Sequence, residues 1–202
     1  MDVGANIGDL TLVAASVVGP NGRVYSLEAH PRTYRYLCAN VALNQSQNVA
    51  LFNMALGDKE SEIFFVDAGR SDDQNRVSEN GRGISMKMAR LDDLPIQEPR
   101  IHLLKVDVEG YEKFVLQGAS RTLERVLCIF FESWEGHFRR YGYTCADVIR
   151  LLTEKGFRIL RLGGNGTVIP VGMNYSSTAL ENLVAVRGLE DFLNKTQFRL
   201  AG

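Results

Sequence analysis

The 202-residue sequence has no long apolar run, and its longest, Val126 to Phe131, is far too short to cross a membrane. A transmembrane helix needs about 20 such residues, so no membrane-spanning segment is predicted. The amino terminus also lacks the basic stretch, apolar run and small-residue cleavage site of a secretory signal. These two absences predict a cytoplasmic protein.

Cysteine and histidine are scarce. The sequence has three cysteines, Cys38, Cys128 and Cys145. Their odd number and wide spacing exclude a disulfide framework and a spaced zinc motif, and we expect reduced, buried thiols. The three histidines show no H-x-E or H-E-x-x-H spacing, so no metal site is predicted, and His137 is expected to be a surface residue.

Neither sign of charge dominates the sequence. There are 23 basic and 24 acidic residues, which gives a formal net charge of −1. This balance argues against a nucleic-acid partner bound through bulk positive charge. The length fits one domain, which we predict to span residues 1–202.

Apolar segments with strand character alternate with amphipathic helical segments. The predicted strands are 2–3, 23–28, 49–53, 62–66, 84–91, 101–107, 126–132, 157–162 and 182–187, and the predicted helices are 9–18, 31–44, 110–118, 146–155 and 189–194. Residues Asp67 to Gly83 are polar and are predicted to form a mobile loop. The alternation predicts an α/β fold with a doubly wound, mostly parallel sheet, whose ligands bind beyond the carboxyl ends of the strands.

A glycine-rich turn, Asp2-Val3-Gly4-Ala5-Asn6-Ile7-Gly8, follows the first strand. Gly4 and Gly8 permit positive φ angles and close approach of a ligand, and the next helix points free N–H groups at the turn. Asp2 is a candidate acceptor for a ligand ammonium. Glu28 lies 20 positions after Gly8, where nucleotide-binding α/β folds place the acid that binds ribose hydroxyls. The G-x-x-x-G spacing departs from the NAD fingerprint G-x-G-x-x-G.

Charged residues also cluster at the ends of two later strands. Lys105, Asp107 and Glu109 share one face if their strand is regular, and Glu132 ends the next strand. Buried charges are costly unless they are paired, so an ion pair of Lys105 with Asp107 or Glu109 is the structural alternative to a functional site. We regard Glu132 as a candidate base or substrate ligand, and Lys105 as a candidate substrate ligand.

These segments resemble the FkbM-type methyltransferases, a branch of the class I enzymes that use S-adenosylmethionine. The resemblance runs from Asp2 to about Arg187. It is carried by the glycine turn, by Leu27-Glu28-Ala29-His30-Pro31 and, most specifically, by Leu104-Lys105-Val106-Asp107-Val108-Glu109-Gly110-Tyr111-Glu112. It implies a Rossmann-like, seven-stranded sheet whose last strand is antiparallel. Members usually have residues before the glycine turn that cover the site. Only Met1 precedes it here, so a shortened chain is one expectation.

The resemblance also implies roles for individual residues. The methionine end of the cofactor would be lined by Asp2, Gly4, Asn6 and Gly8, the ribose would be bound by Glu28, and the adenine would be bordered by Asn53, Met54 and Ala55. Asp107 and Glu109 would face the reacting centre.

The expected reaction is transfer of a methyl group from S-adenosylmethionine to a hydroxyl on a small molecule or sugar. An alcohol is a poor nucleophile, so a positioned carboxylate that accepts its proton accelerates the transfer. Asp107 is the first candidate for this base and Glu109 the second. Two alternatives remain open: an NAD(P)-dependent oxidoreductase and a cofactor-binding domain without catalysis.

Overall fold

The computed structural model describes residues 1–66, 76–78 and 80–201. The strands are β1 (Asp2–Val3), β2 (Val24–Leu27), β3 (Val49–Phe52), β4 (Ala55–Leu56), β5 (Ser61–Val66), β6 (Arg76–Val77), β7 (Ile84–Ala89), β8 (Ile101–Val106), β9 (Val126–Ser133), β10 (Arg158–Gly163), β11 (Thr167–Pro170), β12 (Glu181–Val186) and β13 (Arg199–Leu200). The helices are α1 (Asp9–Val18), α2 (Pro31–Leu43), α3 (Glu112–Gln117), α4 (Glu135–Arg140), α5 (Cys145–Glu154) and α6 (Leu189–Thr196).

The main sheet confirms the predicted doubly wound fold. Its order begins β3-β2-β1-β8-β9-β12-β10, and the first five of these strands are mutually parallel. Strand β12 is antiparallel to both of its neighbours, as expected for the last of the seven strands. Two strands that the sequence did not reveal, β11 and β13, extend the sheet to nine among the described residues. Both are too short to show a period-2 pattern.

The core lies along the two central strands. Leu104 and Val106 of β8 and Ile129 and Phe131 of β9 are fully buried, and their strand pairing places all four on one face of the sheet. Val3 of β1 pairs with Val106. The segments after β1 and β8 therefore leave the sheet at the same edge.

Helix α1 buries a different face from the one that its apolar residues suggest. Leu10, Val13 and Val17 are apolar, yet Val17 is 79% exposed and Val13 is 59% exposed. Thr11 and Ala15 are the buried residues. Thr11 faces the sheet because its hydroxyl bonds to polar side chains of β1 and β2.

Among the described residues, a second sheet of four strands, ordered β4-β7-β5-β6, is inserted in the chain between β3 and β8. Most of the predicted loop Asp67–Gly83 lies outside the described residues. The prediction is wrong for β6, because Arg76 and Val77 pair with Val66 and Phe65 of β5. Two residues that flank the main sheet, Ala29 and Tyr111, pack against the apolar side of this small sheet.

Within the described residues, no helix combines the length and the apolar character needed to cross a membrane. The three cysteines are free thiols, as predicted, but only Cys145 is fully buried.

Candidate active site

A cavity of about 390 Å³ opens where β1, β2, β8 and β9 end. Nine of the predicted site residues line it: Gly4, Asn6, Glu28, Met54, Ala55, Lys105, Asp107, Glu109 and Glu132. Three other predicted cofactor residues, Asp2, Gly8 and Asn53, do not line it. Val77 of β6 and Phe65 of β5 form part of the wall, so the small sheet borders the site.

The turn after β1 needs its first glycine for the protein's own packing. Gly4 has a φ of 74°, and a Cβ atom there would lie 1.8 Å from the backbone oxygen of Asp107. The N–H groups of Gly4 and Ala5 both donate to the carbonyl oxygen of Leu27, at 3.0 Å each. The turn is therefore pinned to the ends of both β2 and β8.

Gly8 also serves packing and lies outside the cavity. Its φ is 100°, and a Cβ atom would approach the side chain of Leu37 in α2 to 2.6 Å. The predicted contact of Gly8 with the cofactor therefore finds no counterpart in the cavity, because this residue faces the neighbouring helix.

Glu28 organises the same turn with both of its carboxylate oxygens. Oε2 accepts the backbone N–H of Asn6 at 2.9 Å, and Oε1 accepts the backbone N–H of His30 at 2.8 Å. Burial raises the pKa of Glu28, and these two donors oppose that shift. Asn6 has a φ of 50°, so the bond to Glu28 holds an uncommon backbone conformation at the cavity wall.

Asp2 and Lys105 form a buried ion pair beneath the turn. Oδ2 of Asp2 accepts a hydrogen bond from the Thr11 hydroxyl at 2.6 Å, and Oδ1 lies 3.3 Å from the ammonium of Lys105. The ammonium donates to the carbonyl oxygen of Gly4 at 2.7 Å and lies 3.4 Å from Oδ2 of Asp107. Asp2 lies outside the cavity because these partners engage it, and the Lys105–Asp107 pair foreseen as an alternative is present.

Asn53 supports the site from outside. Its side-chain amide donates to the backbone oxygens of Glu28 and Ala29, at 2.9 Å each, and the residue is exposed. The two residues that follow, Met54 and Ala55, do line the cavity. Asn53 therefore fixes the chain after β2 instead of forming the wall.

Asp107 faces the cavity at the end of β8 with 40% of its side chain exposed. Partial burial raises the pKa of its carboxyl group, the Lys105 ammonium opposes that shift, and the nearby Glu132 carboxylate adds to it. Two carboxyl groups this close favour a shared proton unless a cation lies beside them.

His137 is not the surface residue that we predicted. Only 12% of its side chain is exposed, and its ring lies between two carboxylates, with Nδ1 at 2.8 Å from Oε1 of Glu132 and Nε2 at 3.7 Å from Oε2 of Glu109. The ring of Trp134 packs edge-on against it at 4.5 Å between centroids. Helix α4, which carries His137, has six residues, so it gave no periodic signal in the sequence.

Glu112 supports the site in a role that was not predicted from the sequence. It is fully buried, and its Oε1 accepts the backbone N–H groups of Val108 at 2.9 Å and Gly110 at 3.3 Å. Burial raises its pKa to about 8. The signal that could have revealed it is an acid in the first turn of a helix that directly follows a loop.

The chain matches the model of the methyltransferase FkbM domain over residues 2–159. This match confirms the resemblance inferred from the motifs, and with it a methyltransferase that uses S-adenosylmethionine. The small-sheet insertion and the residues that line the cavity all lie within the matched range.

Two curated relatives are methyltransferases. The chain is 28% identical to methyltransferase sdnD of Sordaria araneosa over 197 residues, covering 80% of this chain and 74% of that protein. It is 28% identical to the hexuronic acid methyltransferase AglP of Haloferax volcanii over 156 residues, covering 76% of this chain and 60% of that protein.

The fold resembles a solved methyltransferase FkbM from Methylobacillus flagellatus. The TM-score is 0.58 at 16% identity, over 91% of this chain. The chain spans only 42% of that protein's length.

Proposed function

Because the chain belongs to the FkbM methyltransferase domain family, we propose that it methylates a hydroxyl oxygen on a small molecule or sugar. The observation that carries this proposal is the charge of the cavity wall: among the described residues, five acidic side chains (Asp9, Glu28, Asp107, Glu109 and Glu132) line it with one ammonium, from Lys105. An anionic wall suits the sulfonium and ammonium groups of S-adenosylmethionine. It disfavours the pyrophosphate of NAD, which nucleotide-binding folds hold on a helix N-terminus.

The cavity of about 390 Å³ has room for such a cofactor, since pockets that bind small molecules span about 300–1,000 Å³. We assign the ribose hydroxyls to Glu28, whose oxygens keep lone pairs beyond the two N–H groups they accept. The exposed backbone of Gly4 and Asn6 would border the methionine end, and Met54 and Ala55 would border the adenine. Asp2, Gly8 and Asn53 would act by holding this wall in place.

Asp107 is the proposed proton acceptor. The acceptor hydroxyl gives its proton to the Asp107 carboxylate, the oxygen lone pair forms the new C–O bond, and the electron pair of the broken C–S bond stays on sulfur, which becomes a thioether. A positioned general base contributes typically 10²–10⁴-fold to the rate. The positive charge of the donor also favours the ionised form of Asp107, whose pKa is raised by its partial burial.

A sugar is the favoured acceptor. The relative from Haloferax volcanii is named as a hexuronic acid methyltransferase, which supports an acceptor of that class. The ring of Tyr111 lines the cavity that holds the carboxylates and packs edge-on against Tyr141. Sugar-binding sites pair aromatic rings with hydrogen-bonding groups.

The test begins with calorimetry of S-adenosylmethionine, S-adenosylhomocysteine and NAD. We expect the first two to bind and NAD not to bind. Binding of NAD alone would rule the proposal out, and cofactor binding without turnover on any hydroxylated sugar or uronic acid would favour a non-catalytic domain instead.

The second step replaces Asp107 by Asn. We expect methyl transfer to fall about 10²–10⁴-fold with unchanged cofactor affinity. The matched control is Asp191→Asn in α6, an exposed carboxylate that pairs with Lys195. Full activity of Asp107→Asn at unchanged cofactor affinity would exclude Asp107 as the base.

A further inference from the structure

Three potential metal ligands meet beside the cavity, although the sequence spacing predicted no metal site. Glu109 lies in the loop after β8, Glu132 near the end of β9, and His137 in α4. One ligand atom from each can be chosen so that all three lie within 4.8 Å of one another. We propose that this cluster, the Glu109–Glu132–His137 triad, binds one divalent transition-metal cation that positions the acceptor hydroxyl. The assignment of the hydroxyl rests on the proposed function.

The distances suit a cation with little rearrangement. Two ligand atoms that are each about 2.1 Å from a metal lie roughly 3–4.2 Å apart. Nε2 of His137 and Oε2 of Glu109 are 3.7 Å apart, within that range.

The histidine is already oriented as a ligand. Nδ1 of His137 lies 2.8 Å from Oε1 of Glu132. A metal-bound imidazole usually donates its second N–H to a carboxylate, which fixes its tautomer and orientation. In this arrangement Nε2 faces Glu109, so His137 and Glu109 are the direct ligands, while Glu132 lies on the Nδ1 side and orients the ring.

The backbone that carries Glu109 is also held in place. Glu109 has a φ of 56°, and the N–H groups of its two neighbours, Val108 and Gly110, both donate to buried Glu112. The Tyr143 hydroxyl donates to the carbonyl oxygen of Gly110 at 2.6 Å. A ligand held this way loses little conformational entropy on binding, which favours affinity.

The surrounding charge favours a cation. Asp107 and Glu132 are close enough for their charges to oppose each other, and Glu109 adds a third carboxylate. The ammonium of Lys105 is already paired with Asp2 and Asp107 and donates to the Gly4 carbonyl oxygen. A protonated His137 would also place a positive charge among these carboxylates. The experiment therefore distinguishes a bound metal ion from a protonated imidazole.

The donor set points to the class of metal. An imidazole nitrogen together with a carboxylate oxygen suits Mn²⁺ or Zn²⁺ better than Mg²⁺ or Ca²⁺, which favour oxygen ligands alone. A cation here would polarise the acceptor hydroxyl next to Asp107 and make its proton easier to remove.

The experiment measures metal binding without catalysis. Tag-free protein is treated with EDTA, dialysed and titrated with Mn²⁺, and the free ion is followed by electron paramagnetic resonance, with Zn²⁺ and Mg²⁺ as competitors. We expect one Mn²⁺ per chain, displaced by Zn²⁺ more readily than by Mg²⁺. His137→Gln and Glu109→Gln should each weaken binding at least about tenfold.

Exposed residues of the same types provide matched controls. His102→Gln and Glu154→Gln should bind Mn²⁺ as the parent protein does, and Glu109→Asp, which keeps a carboxylate, should recover part of the affinity lost in Glu109→Gln. Thermal unfolding checks that each variant is folded. Calorimetry with S-adenosylmethionine in EDTA tests the cofactor separately, so loss of the metal site and failure of the proposed function give different results.

The proposal is overturned if the parent protein binds no Mn²⁺, or if His137→Gln binds it as tightly as the parent does. The first result, combined with a His137 ring signal that titrates differently in Glu109→Gln, would identify a protonated histidine as the cation of the cluster.

Discussion

The turn after β1 (residues 4–8) and the loop after β8 (residues 107–111) are neighbours at one edge of the sheet, and each is held by a buried glutamate. Glu28 accepts hydrogen bonds from the backbone N–H of Asn6 in the first segment and of His30 after β2. Glu112 accepts two backbone N–H groups of the second segment. Glu28 uses one oxygen for each donor and lines the cavity, whereas Glu112 uses a single oxygen for both and is fully buried.

The comparison shows that a buried glutamate that accepts backbone N–H groups can either line a ligand cavity or act only as a structural support. A buried carboxylate that accepts backbone N–H groups can hold a loop in a conformation that its residues rarely adopt. At Glu28 the same carboxylate also faces ligand space, while at Glu112 it is entirely scaffold. An acidic residue at a strand end is therefore weak evidence for ligand binding until its partners are known.

The largest expected effect comes from breaking the contact that joins the two segments. Gly4→Ala adds a methyl group 1.8 Å from the Asp107 carbonyl oxygen at a φ of 74°, so both segments must move. We expect at least about 4 kcal/mol lower unfolding free energy in urea. Gly142→Ala has a similar φ of 77° with nothing within 4 Å, and should cost only about 1–2 kcal/mol. Equal losses of unfolding free energy in the two variants would show that the positive φ alone, and not the contact with Asp107, requires glycine at position 4.

A smaller effect tests Glu28. In Glu28→Gln the side chain keeps only one acceptor oxygen, so either Asn6 or His30 loses its partner. We expect a loss of stability of about 1–3 kcal/mol and weaker binding of S-adenosylmethionine by calorimetry. Glu112→Gln is the matched comparison, because one amide oxygen can still accept from both Val108 and Gly110. Unchanged cofactor affinity in Glu28→Gln would contradict its place in the binding wall.

The smallest effect concerns pH. The pKa of Glu112 is raised to about 8 from an ordinary value of 4.5, so folding favours its protonated form. That stabilisation is complete below about pH 4.5 and is lost as pH rises through about 8. Glu112→Gln mimics the protonated acid, so we expect its melting temperature to exceed that of the parent by several degrees at pH 8.5. The gain should shrink towards pH 5. A constant difference across this range would show that Glu112 stays ionised.

The sequence predicted the central elements well and the peripheral ones poorly. Strand β9 was recognised because it reads as an apolar run, and β8 because apolar residues dominate it despite His102 and Lys105. Helix α4 and strands β11 and β13 were missed because their few residues show neither a helical nor an alternating apolar pattern. The exposure of the apolar residues of α1 could not be foreseen, because a buried hydrogen bond of Thr11, not apolar area, sets the orientation of the helix.

Nine of the candidate site residues lie at one cavity and three do not, for a physical reason. The rule that ligands bind beyond the carboxyl ends of parallel strands located Glu28, Asp107 and Glu132 correctly at one cavity. It could not show that Asp2, at the end of β1, is engaged by Thr11 and Lys105 instead. Whether the cavity residues bind the cofactor stays a prediction until the variants are measured.

The sequence by itself determined the family, the doubly wound fold and the concentration of charge at the strand ends, because motif order and local periodicity are written along the chain. The tertiary structure decided which of those charges face the cavity, which are buried beneath it, and that Glu109, Glu132 and His137 converge. Strand register and side-chain pairing bring together residues distant in sequence, and no local spacing encodes those contacts.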